Sequence, residues 1–151
     1  MSEGFILLVE DNPDDEELTL RALRKGGITH RVEVVRDGAE AIDFLLGQGR
    51  FEQRDPSQTP SVMLLDLQLP KLSGLDVLRR LRANALTRRV PVVVLTSSSE
   101  ESDIARAYDY GANSYVRKPV EFDKFVEFVR ALGTYWLKLN ELPGNSRPAS
   151  I

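Results

Sequence analysis

Apolar residues gather along this chain in two rhythms. Short apolar runs occupy Phe5–Val9, Arg31–Val35, Val62–Leu65, Val90–Leu95 and Ser114–Val116. The run Val62–Leu65, bounded by Pro60 and Pro70, reads as a strand buried on both faces of a parallel sheet, and the others as its neighbours. Helical patterns lie between them. Asn12 can cap a helix with Pro13 at its first position and Asp14, Asp15, Glu16 and Glu17 in its first turn, where the helix dipole favours negative charge. Gly26-Gly27 stops it after Lys25. Asp37-Gly38-Ala39-Glu40 and Ser73-Gly74-Leu75-Asp76 have capping-box spacing. They open helices with Ile42, Leu45 and Leu46, and with Leu75, Leu78 and Leu81, on their inner faces. A fourth helix starts within Ser97–Glu101, turns Ile104, Ala107 and Tyr108 inward and ends at Gly111. The fifth starts at Glu121, carries Phe122, Phe125, Val126, Val129 and Leu132 on one side, and is expected to continue through Tyr135, Trp136 and Leu139 to Pro143-Gly144. Gly47 to Thr59 reads as a polar surface insertion, and Asn145 to Ile151 as a disordered tail.

Five strands alternating with five helices predict an α/β chain. Short connections and right-handed crossovers favour a doubly wound five-stranded parallel sheet, (βα)5 and flavodoxin-like, with strand order 2-1-3-4-5. The expected organisation is one domain over residues 1–132 and a helical extension and tail over 133–151. In that order strands one, three, four and five are neighbours, so Glu10-Asp11, Asp66, Thr96 and Lys118 arrive at one rim. The carboxyl ends of strands are where ligands bind in open α/β sheets.

Composition narrows the chemistry. The chain has 151 residues, which suits a single core, and a net charge of −3, which argues against nucleic acid as the main partner. No apolar run is long enough to span a bilayer and the start lacks a signal peptide, so the expected location is cytoplasmic, with no membrane partner. With no Cys and one His, thiolate chemistry and a polyhistidine metal site are excluded.

Acidic groups crowded on one rim repel one another and are costly to bury unpaired, so the rim calls for a cation. All-oxygen ligation by few carboxylates, with room for water and a phosphate, describes Mg2+ better than Ca2+. A carboxylate held there can attack phosphorus and form an aspartyl phosphate, while the metal and Lys118 neutralise the transferring group and Thr96 offers a hydroxyl. Taken singly, Thr96 reads as a helix-entry residue, Lys118 as a surface lysine and Glu10-Asp11 as a turn. Their agreement at four strand ends favours a site.

These residues, with Pro70 and Gly74 after Asp66, Ser97 after Thr96, and Tyr115-Val116-Arg117-Lys118-Pro119, resemble the receiver domain of two-component response regulators across about residues 4 to 132. The resemblance implies that Asp66 accepts a phosphoryl group from a histidine kinase. It implies Mg2+ ligation by Asp11, Asp66 and the backbone carbonyl of Gln68, with Glu10 acting through water. Thr96 matches the switch hydroxyl, Lys118 the phosphate-pairing lysine and Tyr115 the aromatic of the switch. Pro119 matches a proline that follows a cis peptide. Ser97 would leave the phosphoryl group accessible, and Gln68 and Ser98 match positions that flank the hydrolytic water.

About twenty residues follow the fifth helix, too few for an output module, so the expectation is action by docking. The segment Thr134–Pro143 and the loop before strand three are similar to single-domain regulators that serve phytochromes, which makes a phytochrome kinase the expected partner. Trp136 lies beyond the length the sheet should cover, so its face is expected to meet a second copy in a homodimer through the fifth helix and its extension. The rivals are a flavodoxin-type electron carrier, whose flavin phosphate the acidic turn would repel, a metal-dependent phosphatase, which usually carries its Asp after the first strand, and a phosphorylation-independent scaffold, which would typically lack one of these residues.

Overall fold

The structure, a computed structural model, describes residues 4–118 and 121–143. The expectations for Pro119 and for the tail Asn145–Ile151 lie outside the described residues. Five parallel strands, β1 (Phe5–Val9), β2 (Arg31–Val35), β3 (Val62–Leu65), β4 (Val92–Thr96) and β5 (Ser114–Arg117), form one sheet in the order β2-β1-β3-β4-β5. The helices are α1 (Pro13–Lys25), α2 (Gly38–Leu46), α3 (Gly74–Ala83), α4 (Glu101–Asp109) and α5 (Phe122–Gly133). The fold class and strand order are those read from the sequence.

Every residue of β1, β3 and β4 is buried, because both faces of the sheet are covered. Leu7, Val9, Met63 and Leu65 pack with Ala41, Phe44, Val77, Leu78 and Leu81 on the side of α2 and α3. Ile6, Leu8, Leu64 and Leu95 pack with Ala22, Leu23, Phe125, Val126 and Val129 on the side of α1 and α5. The expected caps form: Asn12 accepts from the amides of Asp14 and Asp15, Asp37 from Glu40, and Ser73 from Asp76.

Several details differ from the sequence reading. β4 begins at Val92 rather than Val90, and Thr96 is its last residue. Helix α4 begins only at Glu101, with no side-chain cap before it; the Ser98 hydroxyl donates to Asp103 Oδ2 (2.6 Å) and accepts the Glu100 amide (3.3 Å), which holds Ser97–Glu100 as a loop. Tyr108 is 50% exposed, not inward. Ala107 alone of the α4 residues is buried, and its small side chain lets a narrow strip of the helix meet the sheet while Tyr108, the next residue round, faces water. The insertion at 47–59 is not loose: Phe51 packs edge-on against Phe44 at 5.1 Å, and Arg54 lies 4.1 Å over Phe44 while donating to its carbonyl at 2.8 Å.

Beyond α5 the chain widens into a π-helical turn over Thr134–Leu139. Trp136 and Leu137 are half-buried against the core on the α1 and α5 side, together with Ile28 from the turn after α1. The reading that Trp136 lies beyond what its own fold can cover is therefore corrected, since that turn extends the covered surface past the sheet. Tyr135 and Leu139 remain 49% and 67% exposed.

Gly74 lets α3 begin directly against the end of β3. A Cβ there would fall 2.2 Å from the Asp66 carbonyl oxygen and 2.6 Å from Leu67 Cα, both backbone atoms that cannot swing aside. Gly74→Ala should therefore lower stability by about 2–3 kcal/mol through overpacking. The midpoint of a urea titration monitored by circular dichroism checks this.

Candidate functional site

The strand ends build the site. Just past β1, Glu10 is 1% exposed, and its amide donates to the Val35 carbonyl at 3.0 Å. Asp11 follows in an exposed turn. Just past β3, Asp66 is buried, and its amide donates to the Val9 carbonyl at 3.2 Å. Thr96 closes β4 fully buried, and its carbonyl accepts the Lys118 amide at 2.7 Å. Each strand end is thus tied by backbone to its neighbour before any side chain is considered.

Glu10, Asp11 and Asp66 each offer a carboxylate oxygen within 4.8 Å of the others. The Lys118 ammonium, 8% exposed, donates to Glu10 Oε1, to Asp66 Oδ2 at 3.2 Å and to Asp15 Oδ2 at 3.2 Å. Asp15 is a participant the sequence reading missed, because it was credited only with favouring the start of α1. Its place in the first helical turn, close to the strand end that carries Glu10 and Asp11, was the available signal.

Burial shapes the electrostatics. It pushes the Glu10 carboxyl up to about 7, against the hydrogen bond and charge of Lys118, with the Asp66 charge adding to the rise. Burial also works against the Lys118 ammonium, but the Glu10 bond and the charges of Asp66 and Glu10 outweigh it, so that its pKa is raised and it stays charged. Three carboxylates share one ammonium and Asp11 lies beside two of them, an excess that a hard divalent ion would neutralise. The donors are all oxygen, and the chain has no Cys. The residues therefore fit Mg2+.

The remaining predicted residues surround Asp66. The Gln68 amide donates to Asp66 Oδ1 at 3.0 Å, and its exposed side chain accepts from the Ser97 hydroxyl at 3.4 Å. Tyr115 packs its ring on Leu67, Val94 and Ala107 and donates its hydroxyl to the Ser98 carbonyl at 2.8 Å. Burial raises its pKa, opposed by that bond. The Ser98 amide in turn donates to Thr96 Oγ1 at 3.4 Å. Ser98 thus links Thr96 to Tyr115, a connection that no spacing in the sequence reveals.

A family model for the response regulator receiver domain matches residues 6–130. This chain belongs to the response regulator receiver family. Response regulator Rcp1 of Synechocystis sp. is 38% identical over 91% of this chain and 92% of its own length. A crystal structure of the Mn2+-bound form of Rcp1 covers 93% of this chain and 99% of its own, with a TM-score of 0.82 at 36% identity. The phosphorylated cyanobacterial phytochrome response regulator RcpA matches 94% of this chain and 99% of its own at a TM-score of 0.84 and 36% identity. The bacteriophytochrome response regulator RtBRR is 50% identical, covering 96% of this chain and 87% of its own, with a TM-score of 0.77. The receiver and these relatives align nearly end to end. As a receiver it is a signalling protein rather than a conventional enzyme. Among its described residues no helix is long and apolar enough to cross a membrane.

The raised Glu10 pKa has a consequence for metal affinity. A cation competes with the Glu10 proton, so affinity should be full above pH 7 and fall as pH drops through that value. Isothermal titration with Mg2+ should show about a tenfold loss between pH 8 and pH 6, as one displaced proton requires. Glu10→Gln should flatten that dependence.

Proposed function

We propose that this receiver is a single-domain response regulator in which Asp66 accepts a phosphoryl group from a phosphohistidine on a partner histidine kinase, with Mg2+ as cofactor. The observation that supports this most is the position of the Asp66 carboxylate, 3.2 Å from the Lys118 ammonium and grouped with Glu10 and Asp11. An Asp66 carboxylate oxygen forms the new bond to phosphorus, the bond from phosphorus to the donor nitrogen breaks, and the imidazole leaves with that electron pair. Mg2+, held by Asp11, Asp66 and the Gln68 carbonyl, with Glu10 acting through water, supplies charge neutralisation when bound. Lys118 neutralises a phosphoryl oxygen, and Thr96 donates its hydroxyl to another.

The output follows from how lightly α4 is held. Thr96 is tied through Ser98 to Tyr115, so drawing Thr96 toward a phosphoryl group disturbs the loop that anchors the Tyr115 hydroxyl. This shifts an existing equilibrium at the face of α4, β5 and α5. The names of RcpA and RtBRR support a phytochrome as the kinase. Tyr135 and Leu139, exposed on the extension over 133–142, support a two-fold homodimer through α5 and that segment. The acidic turn of Asp11, Asp14 and Asp15 disfavours a flavin phosphate, and a complete set of site residues disfavours a phosphorylation-independent scaffold.

Incubation with acetyl phosphate and Mg2+ should add one phosphoryl group by intact mass, and Asp66→Asn should add none. Thr96→Ala should still be phosphorylated while the amide spectrum of the α4, β5 and α5 face responds less to beryllofluoride. In sedimentation velocity the full chain should run as a dimer at micromolar concentration. Tyr135→Ser with Leu139→Ser should shift it to monomer, and a monomeric wild type with and without beryllofluoride would remove the dimer from this account.

A further inference from the structure

Lys118 carries three N–H bonds, and three carboxylates use all of them: Glu10, Asp66 and Asp15. A phosphoryl oxygen arriving at Asp66 therefore meets no free N–H, and one of the existing bonds has to be given up. The three carboxylates differ in how easily they release the lysine. Glu10 and Asp66 have side chains only 2% and 9% exposed, so separating either from Lys118 leaves a charge with little water to replace it. Asp15 is 41% exposed. Freed from Lys118, it regains solvent and stays at the positive end of α1. Its backbone need not move, because its amide is held by Asn12 Oδ1 at 3.1 Å.

We propose that Asp15 is a positioning residue that holds Lys118 in the resting state and is the partner Lys118 releases when a phosphoryl group reaches Asp66. This rests on Asp66 being the acceptor. Asp15 takes no part in bond making; it competes with the phosphodonor for one N–H of the ammonium. The competition weakens donor binding and leaves the transfer step itself unchanged, so Asp15 sets how readily the receiver responds to a given donor.

The test compares Asp15→Asn with Asp14→Asn, which removes the same charge one residue away from a side chain that does not contact Lys118. With acetyl phosphate and Mg2+, Asp15→Asn should lower the half-saturating donor concentration roughly two- to fivefold, the range of a partly exposed ion pair, with the maximal rate within about twofold of wild type. Asp14→Asn should leave both near wild type, and Asp15→Glu should return the half-saturation toward it. In metal-free protein, the nitrogen-15 correlated signal of the Lys118 ammonium should move in Asp15→Asn and not in Asp14→Asn, a readout independent of any donor. Equal kinetic shifts in the two Asn variants, or an unmoved Lys118 signal, would overturn the proposal. Wild-type protein that takes no phosphoryl group would instead overturn the acceptor reading, and this inference with it.

Discussion

The contact on which the rest of this receiver depends is one buried ammonium shared among carboxylates that would otherwise repel. Lys118 is supplied by the edge strand β5, Glu10 by β1 and Asp66 by β3, so the pairing spans most of the sheet. Removing one partner of such a group leaves the others buried and uncompensated, which typically costs about 3–5 kcal/mol. Glu10 and Asp66 are held in place by backbone hydrogen bonds between neighbouring strand ends, and α3 starts hard against Asp66 at Gly74. The excess of negative charge left over suits a hard divalent cation.

Around this fixed centre the fold is unevenly tied. Helix α4 is pinned at its C-terminal end, where Arg82 donates to the Gly111 carbonyl at 2.7 Å and 3.0 Å and to the Val90 carbonyl at 2.7 Å. At its N-terminal end there is no side-chain cap, and the preceding loop is held by Ser98 and its bonds to Asp103, Thr96 and Tyr115. A pull on Thr96 thus acts on the weakly held end of a helix whose other end is anchored, which suits a segment that moves.

How much of this was legible depends on what fixes each residue. The strands were readable because a buried strand leaves a run of apolar residues, and the residue after the run is then at the rim whatever its type. Glu10, Asp66, Thr96 and Lys118 could be placed together for that reason. Helix faces were harder. Tyr108 was assigned by periodicity and Trp136 by its distance beyond the sheet, but which side of a helix is covered depends on what packs across from it. Ala107 brings α4 in on a narrow strip, and Ile28 joins the surface that receives Trp136. Asp15 and Ser98 were obscured for a related reason. Asp and Ser are ordinary at helix starts and loops, so their contacts with Lys118 and Tyr115 emerge only from the folded arrangement.

The claim that Asp66 is the acceptor is tested most directly by locating the modified residue. Borohydride reduces an aspartyl phosphate to homoserine, so protein treated with acetyl phosphate and Mg2+, reduced and digested, reports the site by peptide mass spectrometry. The account predicts homoserine at position 66 and nowhere else, absent when Mg2+ is chelated. Homoserine at position 11 or 15, or a phosphoryl group retained on a residue that borohydride does not reduce, would contradict it.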